Sequence, residues 1–343
     1  MGGGSLVNLN VLWFVLVSVL FIGYFFLEGF DYGVGMLMPF VGRTDTERRA
    51  VVASIGPVWD ANEVWLITAG GAIFAAFPAW YAAMFSGFYL PLALLLVALI
   101  VRGAALEFRS KDAHRRWRRT WDGLIFFGSA VPPFVWGVAM GNILAGVSLD
   151  RAGDFVGGPL SLITPYTVVG GLATTGLMLL HGALYLGLKT EGEIRERARR
   201  AAFRVGGMAT ALYFLFVALS YFYTDFPQKL GVDPGVVPIL AGLAMVAVRF
   251  LLLHERYGLG FLMTGLTIVL SVATVFVDLF PDVLPSRIDP SFSLTVYNAA
   301  SNPYSLHVMT VVAAIALPVV LAYQAWTYWV FRQRVSVRDH FHY

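Results

Sequence analysis

Nine stretches of the chain stay apolar for about twenty residues or more: approximately 9–38, 51–77, 79–105, 120–146, 163–188, 203–223, 235–254, 259–280 and 306–331. An α-helix rising 1.5 Å per residue needs about 20 residues to cross the roughly 30 Å hydrocarbon layer of a bilayer. Within that layer backbone amides have no water to bond, so such runs are usable only as helices. The chain therefore reads as an all-α, polytopic membrane helical bundle of nine transmembrane helices, forming a single integral membrane domain over residues 1–343. Charged residues are 13% of the sequence, about half the share in soluble domains. No soluble domain interrupts the runs.

The basic residues indicate how the bundle is oriented. Arg151, Lys229 and Arg287 are alone on one side, and the other 21 of the 24 Lys and Arg gather around the segments after spans 1, 3, 5 and 7 and in the C-terminal tail. Cytoplasmic loops carry such an excess. The N-terminus is thus expected outside and the C-terminus in the cytoplasm. The segment "RSKDAHRRWRRTW" is basic enough to suggest nucleic acid, but with Trp117 and Trp121 it reads as a topology signal with interfacial aromatics, and no nucleic-acid partner is expected.

The chain has no cysteine, which removes disulfides, thiolate metal sites, iron–sulfur clusters and covalent c-type haem attachment. His181 and His307 lie in or at the end of spans, where haem ligation would need the imidazole to face a large cavity. Hydrogen-bonded packing is the plainer role for a lone buried histidine. No metal-ligand spacing of the H-E-x-x-H kind occurs.

Carboxylates in the first two spans are the chemistry-bearing feature. "FLEGFDYGVGM" places Glu28 and Asp31 three residues apart on one helix face, and "GPVWDANEVW" repeats that spacing with Asp60 and Glu63. The turn between these antiparallel spans centres near Asp45, so Asp31 and Asp60 should be level, about 15–20 Å from the inner surface. Four ionised carboxylates at that depth would be costly and mutually repulsive, so some are protonated or paired with a cation, for which Arg102 is the nearest candidate. Buried acids of this kind suit proton transfer, and hydrogen-bonding glue between helices is the structural alternative. Pro57 would free a carbonyl one turn earlier, that of Ala53, in the same region. Glu107, at the mouth of the third span, would either admit protons or be an interfacial charge. Asn142 would line a path or cap a helix end. "AYQAWTYWVF", near the inner end of the last span, reads as an aromatic belt.

The segments "LEGFDYGVGMLMPFVGRTDTERR", "GPVWDANEVWLITAGGAIFAAFPAWYAAMFSGFYLPL", "EFRSK", "GSAVPPFVWGVAMGN" and "SLTVYNAASNPYSLHVM" resemble subunit II of the cytochrome bd-type quinol oxidases. The likeness is most specific over residues 24–145, resumes over about 292–330, and is thin between 190 and 290. It implies a subunit of a prokaryotic respiratory terminal oxidase of the plasma membrane, whose complex oxidises quinol and reduces dioxygen to water with cytoplasmic protons. Haems b558, b595 and d are expected in the partner, subunit I. A structural quinone and a small accessory subunit are compatible with the resemblance. This chain would scaffold subunit I and contribute to proton delivery. Asp60 matches the family's proton-path aspartate and Asp31 a second family acid, while Glu28 stands where aspartate is common. The proton-pathway residues are thus Asp60, Glu63, Asp31, Glu28 and Glu107, with none directly catalytic. The acids alone would also suit an ion-coupled secondary transporter.

Overall fold

A computed structural model describes residues 8–224 and 235–339. Lys229, used above for topology, lies outside the described residues. The helices are α1 Leu9–Val41, α2 Asp45–Ile55, α3 Trp59–Ala76, α4 Pro78–Gly87, α5 Tyr89–Phe108, α6 Arg115–Ala145, α7 Pro165–Lys189, α8 Gly192–Tyr223, α9 Val236–Leu253, α10 Tyr257–Leu279 and α11 Pro303–Val330. Eight of them, all but α2, α3 and α4, are long and apolar enough to cross a membrane.

Local chemistry sets the ends. Asn8 caps α1 by accepting the N–H groups of Asn10 and Val11. Thr44 and Glu47 form a capping box at α2, and Asn302 followed by Pro303 opens α11.

Two expected boundaries change. The run 51–77 is not one span with a proline kink: it breaks at Gly56–Val58 into α2 and α3. Pro57 cannot donate, and Val58 turns back to the carbonyl of Ile55. The break also frees the carbonyl of Ser54, which the Tyr185 hydroxyl bonds at 2.8 Å. The run 79–105 likewise divides at Phe88, so α4 is a separate short helix and the crossing helix begins at Tyr89.

Helix α1 runs through the middle of the bundle, packed on α2, α3, α6, α7 and α10. Its approach to α7 is backbone on backbone. A Cβ on Gly33 would stand 2.7 Å from the Cα of Gly182, so neither position has room for a side chain. Small residues at such crossings are how membrane helices gain close packing when lipid supplies no hydrophobic drive. By contrast, α11 lies at the periphery, with Leu306 and Gln324 its only buried residues.

The two ends of the bundle differ in kind. At one end, loops 146–163 and 281–302 are stitched together: Val147 donates to Pro285, Arg287 to Val147, and Ser301 to Ala76 at 2.8 Å. A two-stranded ribbon, β1 Asp282–Leu284 with β2 Leu294–Thr295, lies within this cap. At the other end sit the basic segments, held by ion pairs. Asp122 takes Arg48 at 2.7 Å and Arg109 at 2.5 Å, Asp45 takes Arg109 at 3.0 Å and Arg118 at 2.6 Å, and Glu47 takes Arg197. The C-terminal tail joins this end, with Val335 donating to the carbonyl of Lys189 at 2.8 Å.

Candidate functional site

Helix α1 carries Glu28 and Asp31 on one face, and the Gly33–Gly182 crossing just beyond them fixes how that face is turned. Both side chains are 0% exposed. Arg102, on α5 and also 0% exposed, forms an ion pair with Glu28 and stands 4.0 Å from Glu63 of α3. It reaches this position because Gly128 of α6 leaves room: a Cβ there would lie 2.6 Å from the Ala98 carbonyl. The guanidinium also lies over the Tyr32 ring, 4.9 Å from its centroid. Tyr32 shares a 2.5 Å hydrogen bond with Tyr24, which accepts the indole N–H of Trp136 at 3.0 Å.

Asp31 is held differently. Its Oδ2 accepts the side-chain amide of Asn62 at 2.7 Å. The Asn62 oxygen in turn accepts Tyr328 at 2.7 Å and Gln324 at 3.3 Å, both from α11. Gln324 is itself held by the Trp65 indole at 2.9 Å. Nothing in the sequence reading singled out Asn62, Gln324 or Tyr328 as site residues. The available signal was that neutral polar side chains at one depth are what a buried carboxylate draws on.

The expected level of the acids is therefore found, but one of them faces elsewhere. Asn62, not Asp60, is the residue of α3 that meets Asp31. Asp60 is exposed on the outer face of α3, without hydrogen bond or ion pair among the described residues. Glu107 is also exposed, at the basic end, away from the cluster. Asn142 ties α6 to the following loop by donating to the carbonyls of Val138 and Leu162. His181 is packed, its Nδ1 2.7 Å from the Thr264 hydroxyl and its ring stacked on Phe261 at 4.4 Å. His307 is on the exposed face of α11. Among the described residues no cluster of three metal-ligating side chains occurs.

Charge counting shows what the arrangement can do. Glu28, Asp31 and Glu63 lie near one fixed cation, Arg102, while Asp60 stands apart on the exposed face of α3. Glu28 Oε2 and Asp31 Oδ1 have no hydrogen-bond partner. One cation cannot balance three carboxylates in the bundle interior, so the arrangement can hold protons.

Two cavities flank it. The first, about 640 Å³, is apolar and lies among α3, α4, α5, α6 and α10, with Glu63 in its wall. Trp80 also lines it and carries a buried, unpaired indole N–H. The second, about 510 Å³, opens at the basic end and reaches the α2–α3 break, where Ser54, Pro57, Tyr185 and Tyr328 line it. Non-helical backbone at membrane depth is tolerated where it is buried in protein or lines a water-filled cavity, and this cavity meets that condition for residues 56–58.

Known proteins of similar sequence place the chain. Residues 9–331 match the family described as cytochrome bd terminal oxidase subunit II. Cytochrome bd ubiquinol oxidase subunit 2 of Bacillus subtilis is 42% identical, with 97% of this chain and 98% of that one aligned. Cytochrome bd-I ubiquinol oxidase subunit 2 of Escherichia coli K12 is 37% identical over 96% of both. Among solved structures, a chain of the bd oxidase from Geobacillus thermodenitrificans superposes with a TM-score of 0.77 at 17% identity, covering 94% of this chain and 99% of that one, which is a likeness of fold. With a central acid cluster in an eight-helix or larger membrane bundle and a family match over nearly its whole length, the chain belongs to the cytochrome bd terminal oxidase subunit II family.

Proposed function

We propose that this chain, as subunit II of a prokaryotic plasma-membrane quinol oxidase, scaffolds the partner subunit I and helps to deliver cytoplasmic protons for the reduction of dioxygen to water. Family membership makes it part of an oxidoreductase complex. Proton delivery rests on one observation: the Glu28–Arg102–Glu63 and Asp31–Asn62 contacts gather more carboxyl groups than cations in the bundle interior, next to a cavity open at the basic end. Tyr328 lines that cavity and is two hydrogen bonds from Asp31.

The basic end is taken as cytoplasmic on the excess of Lys and Arg there. Counting the broken pair α2–α3 with the eight long helices gives nine crossings, with the N-terminus outside. Asp60 lies two residues before Asn62, within about 3 Å of it along the axis. An aspartate facing lipid at that depth is unfavourable. The face formed by α3 and α11 is therefore covered by subunit I, which puts Asp60 at the subunit boundary, able to pass protons between the two chains.

Haems b558, b595 and d are assigned to subunit I. The two histidines in or at the end of spans do not suit them: His181 is wedged among Phe26, Phe30 and Phe261, and His307 is exposed on α11. A structural quinone fits the 640 Å³ apolar cavity, where the unpaired Trp80 N–H would meet a quinone carbonyl. An ion-coupled transporter, the alternative from the acids alone, is not favoured by family membership.

The test is Asp60→Asn in the assembled oxidase. The haem absorbance spectrum should be unchanged and quinol-driven oxygen consumption should fall by about a hundredfold, the lower end of the range for losing a proton-transfer group. Turnover equal to that of the parent enzyme overturns the role given to Asp60.

A further inference from the structure

We infer that the cavity at the α2–α3 break is also a binding site for the phosphate of an anionic phospholipid of the inner leaflet. Its rim carries Lys189, Arg332 and Arg334. Each is fixed by a backbone carbonyl at a helix end: Lys189 by that of Phe331, Arg332 by that of Trp329 at 2.6 Å, and Arg334 by that of Leu188 at 3.1 Å.

These bonds alone could be helix capping, since cations are favourable at helix C-termini. Capping uses a single N–H of each arginine, however, and a guanidinium has five. None of the three cations has a carboxylate within ion-pair distance among the described residues, although Asp339 also lines the cavity and accepts the Ser336 N–H at 2.8 Å. The contrast is with the four ion-paired arginines of the same end. Arg48, Arg109, Arg118 and Arg197 are all matched to Asp45, Glu47 or Asp122.

Arg195, at the start of α8, adds a further cation, while Arg199 is paired with Glu196 at 3.4 Å. Arg195 is within electrostatic reach of Arg199 and Arg334, and the Nε–H groups of Arg195 and Arg199 are buried without partners. Prearranged cations with spare donors around a concavity select a phosphate. Tyr323, Trp326 and Trp329 are exposed along the same end of α11, as side chains at a headgroup level would be. Basic pockets between helices on this side of a membrane are where anionic headgroups bind.

The experiment uses the whole purified oxidase, exchanged into detergent with defined lipid and examined by native mass spectrometry. Phosphatidylglycerol should remain bound where phosphatidylcholine does not. The double variant R332Q/R334Q should lose it by about thirtyfold, as expected for removing two cations facing one headgroup. R334K, which keeps the charge, should retain it and shows that the tail folds. R338Q, in the same tail but outside the cavity, should behave as the parent. Undiminished phosphatidylglycerol on R332Q/R334Q, or an equal loss on R338Q, overturns the site. Displacement of the lipid by inorganic phosphate at equal concentration assigns the rim to a soluble anion and overturns the lipid.

Discussion

Replacing Arg102 by leucine tests the central ion pair most directly. Arg102 and Glu28 are both fully buried, and among the described residues Arg102 is the only side chain seen donating to Glu28. Removing one partner of a buried pair typically costs about 3–5 kcal/mol, because the other charge stays behind uncompensated. A ceiling follows from the alternative open to Glu28, which is to take up a proton. Protonating a carboxyl of ordinary acidity costs about 4 kcal/mol at pH 7 and about 1 kcal/mol at pH 5. R102L should therefore destabilise the assembled oxidase strongly at pH 7 and much less at pH 5. The double variant E28Q/R102L should recover most of the loss at pH 7, short by the cation–π contact with Tyr32, about 0.5–2 kcal/mol. Thermal inactivation midpoints of the purified complex, measured for parent, both single variants and the double variant at the two pH values, provide the readout. A double variant no more stable than R102L, or an R102L penalty equal at both pH values, refutes the reasoning.

Other outcomes follow from neighbouring contacts. Y328F removes the 2.7 Å bond to Asn62 and leaves Gln324 at 3.3 Å. A loss of about 0.6–1.7 kcal/mol is expected, as for hydrogen bonds between membrane helices, read as a lower inactivation midpoint together with slower turnover. W80F keeps the cavity volume nearly intact but deletes the unpaired indole N–H, so less quinone should copurify while the haem spectrum stays the same. Glu47 sits outside the membrane. Burial opposes its ionisation, but Arg197 and the N–H groups of Thr44 and Arg43 outweigh this, and its pKa falls below the ordinary 4.5. A carboxylate held below its unfolded value stabilises the fold above that value, and the contribution disappears as pH falls through the folded one. E47Q should thus lower the inactivation midpoint at neutral pH, with the gap to the parent closing as the pH drops below 4.5.

How much of this could be read from residues alone differs from element to element. Charges in otherwise apolar runs are conspicuous, so Glu28, Asp31 and Arg102 were legible, and their three-residue spacing gave a common face. The direction of Asp60 was not legible. It depends on how the chain turns through Gly56–Val58, and a break resets the angular phase that an unbroken helix would have carried across Pro57. The same break frees the carbonyl of Ser54 as well, which the Tyr185 hydroxyl takes up. Asn62, Gln324 and Tyr328 were missed for another reason. Uncharged polar residues are ordinary near a membrane interface, and Tyr328 reads in sequence as part of an aromatic belt. Only the packing of α11 beside α3 shows that these side chains point inward to Asp31.

The crossing of Gly33 over Gly182 has a consequence for how this chain can vary. Gly33 comes two residues after Asp31 and five after Glu28, and an added or deleted residue between them would swing both acids by about 100° around the helix axis. The glycine contact would hold the downstream half in place while Glu28 swept away from Arg102. Insertions and deletions are therefore barred from this stretch, and drift in chain length has to be absorbed elsewhere.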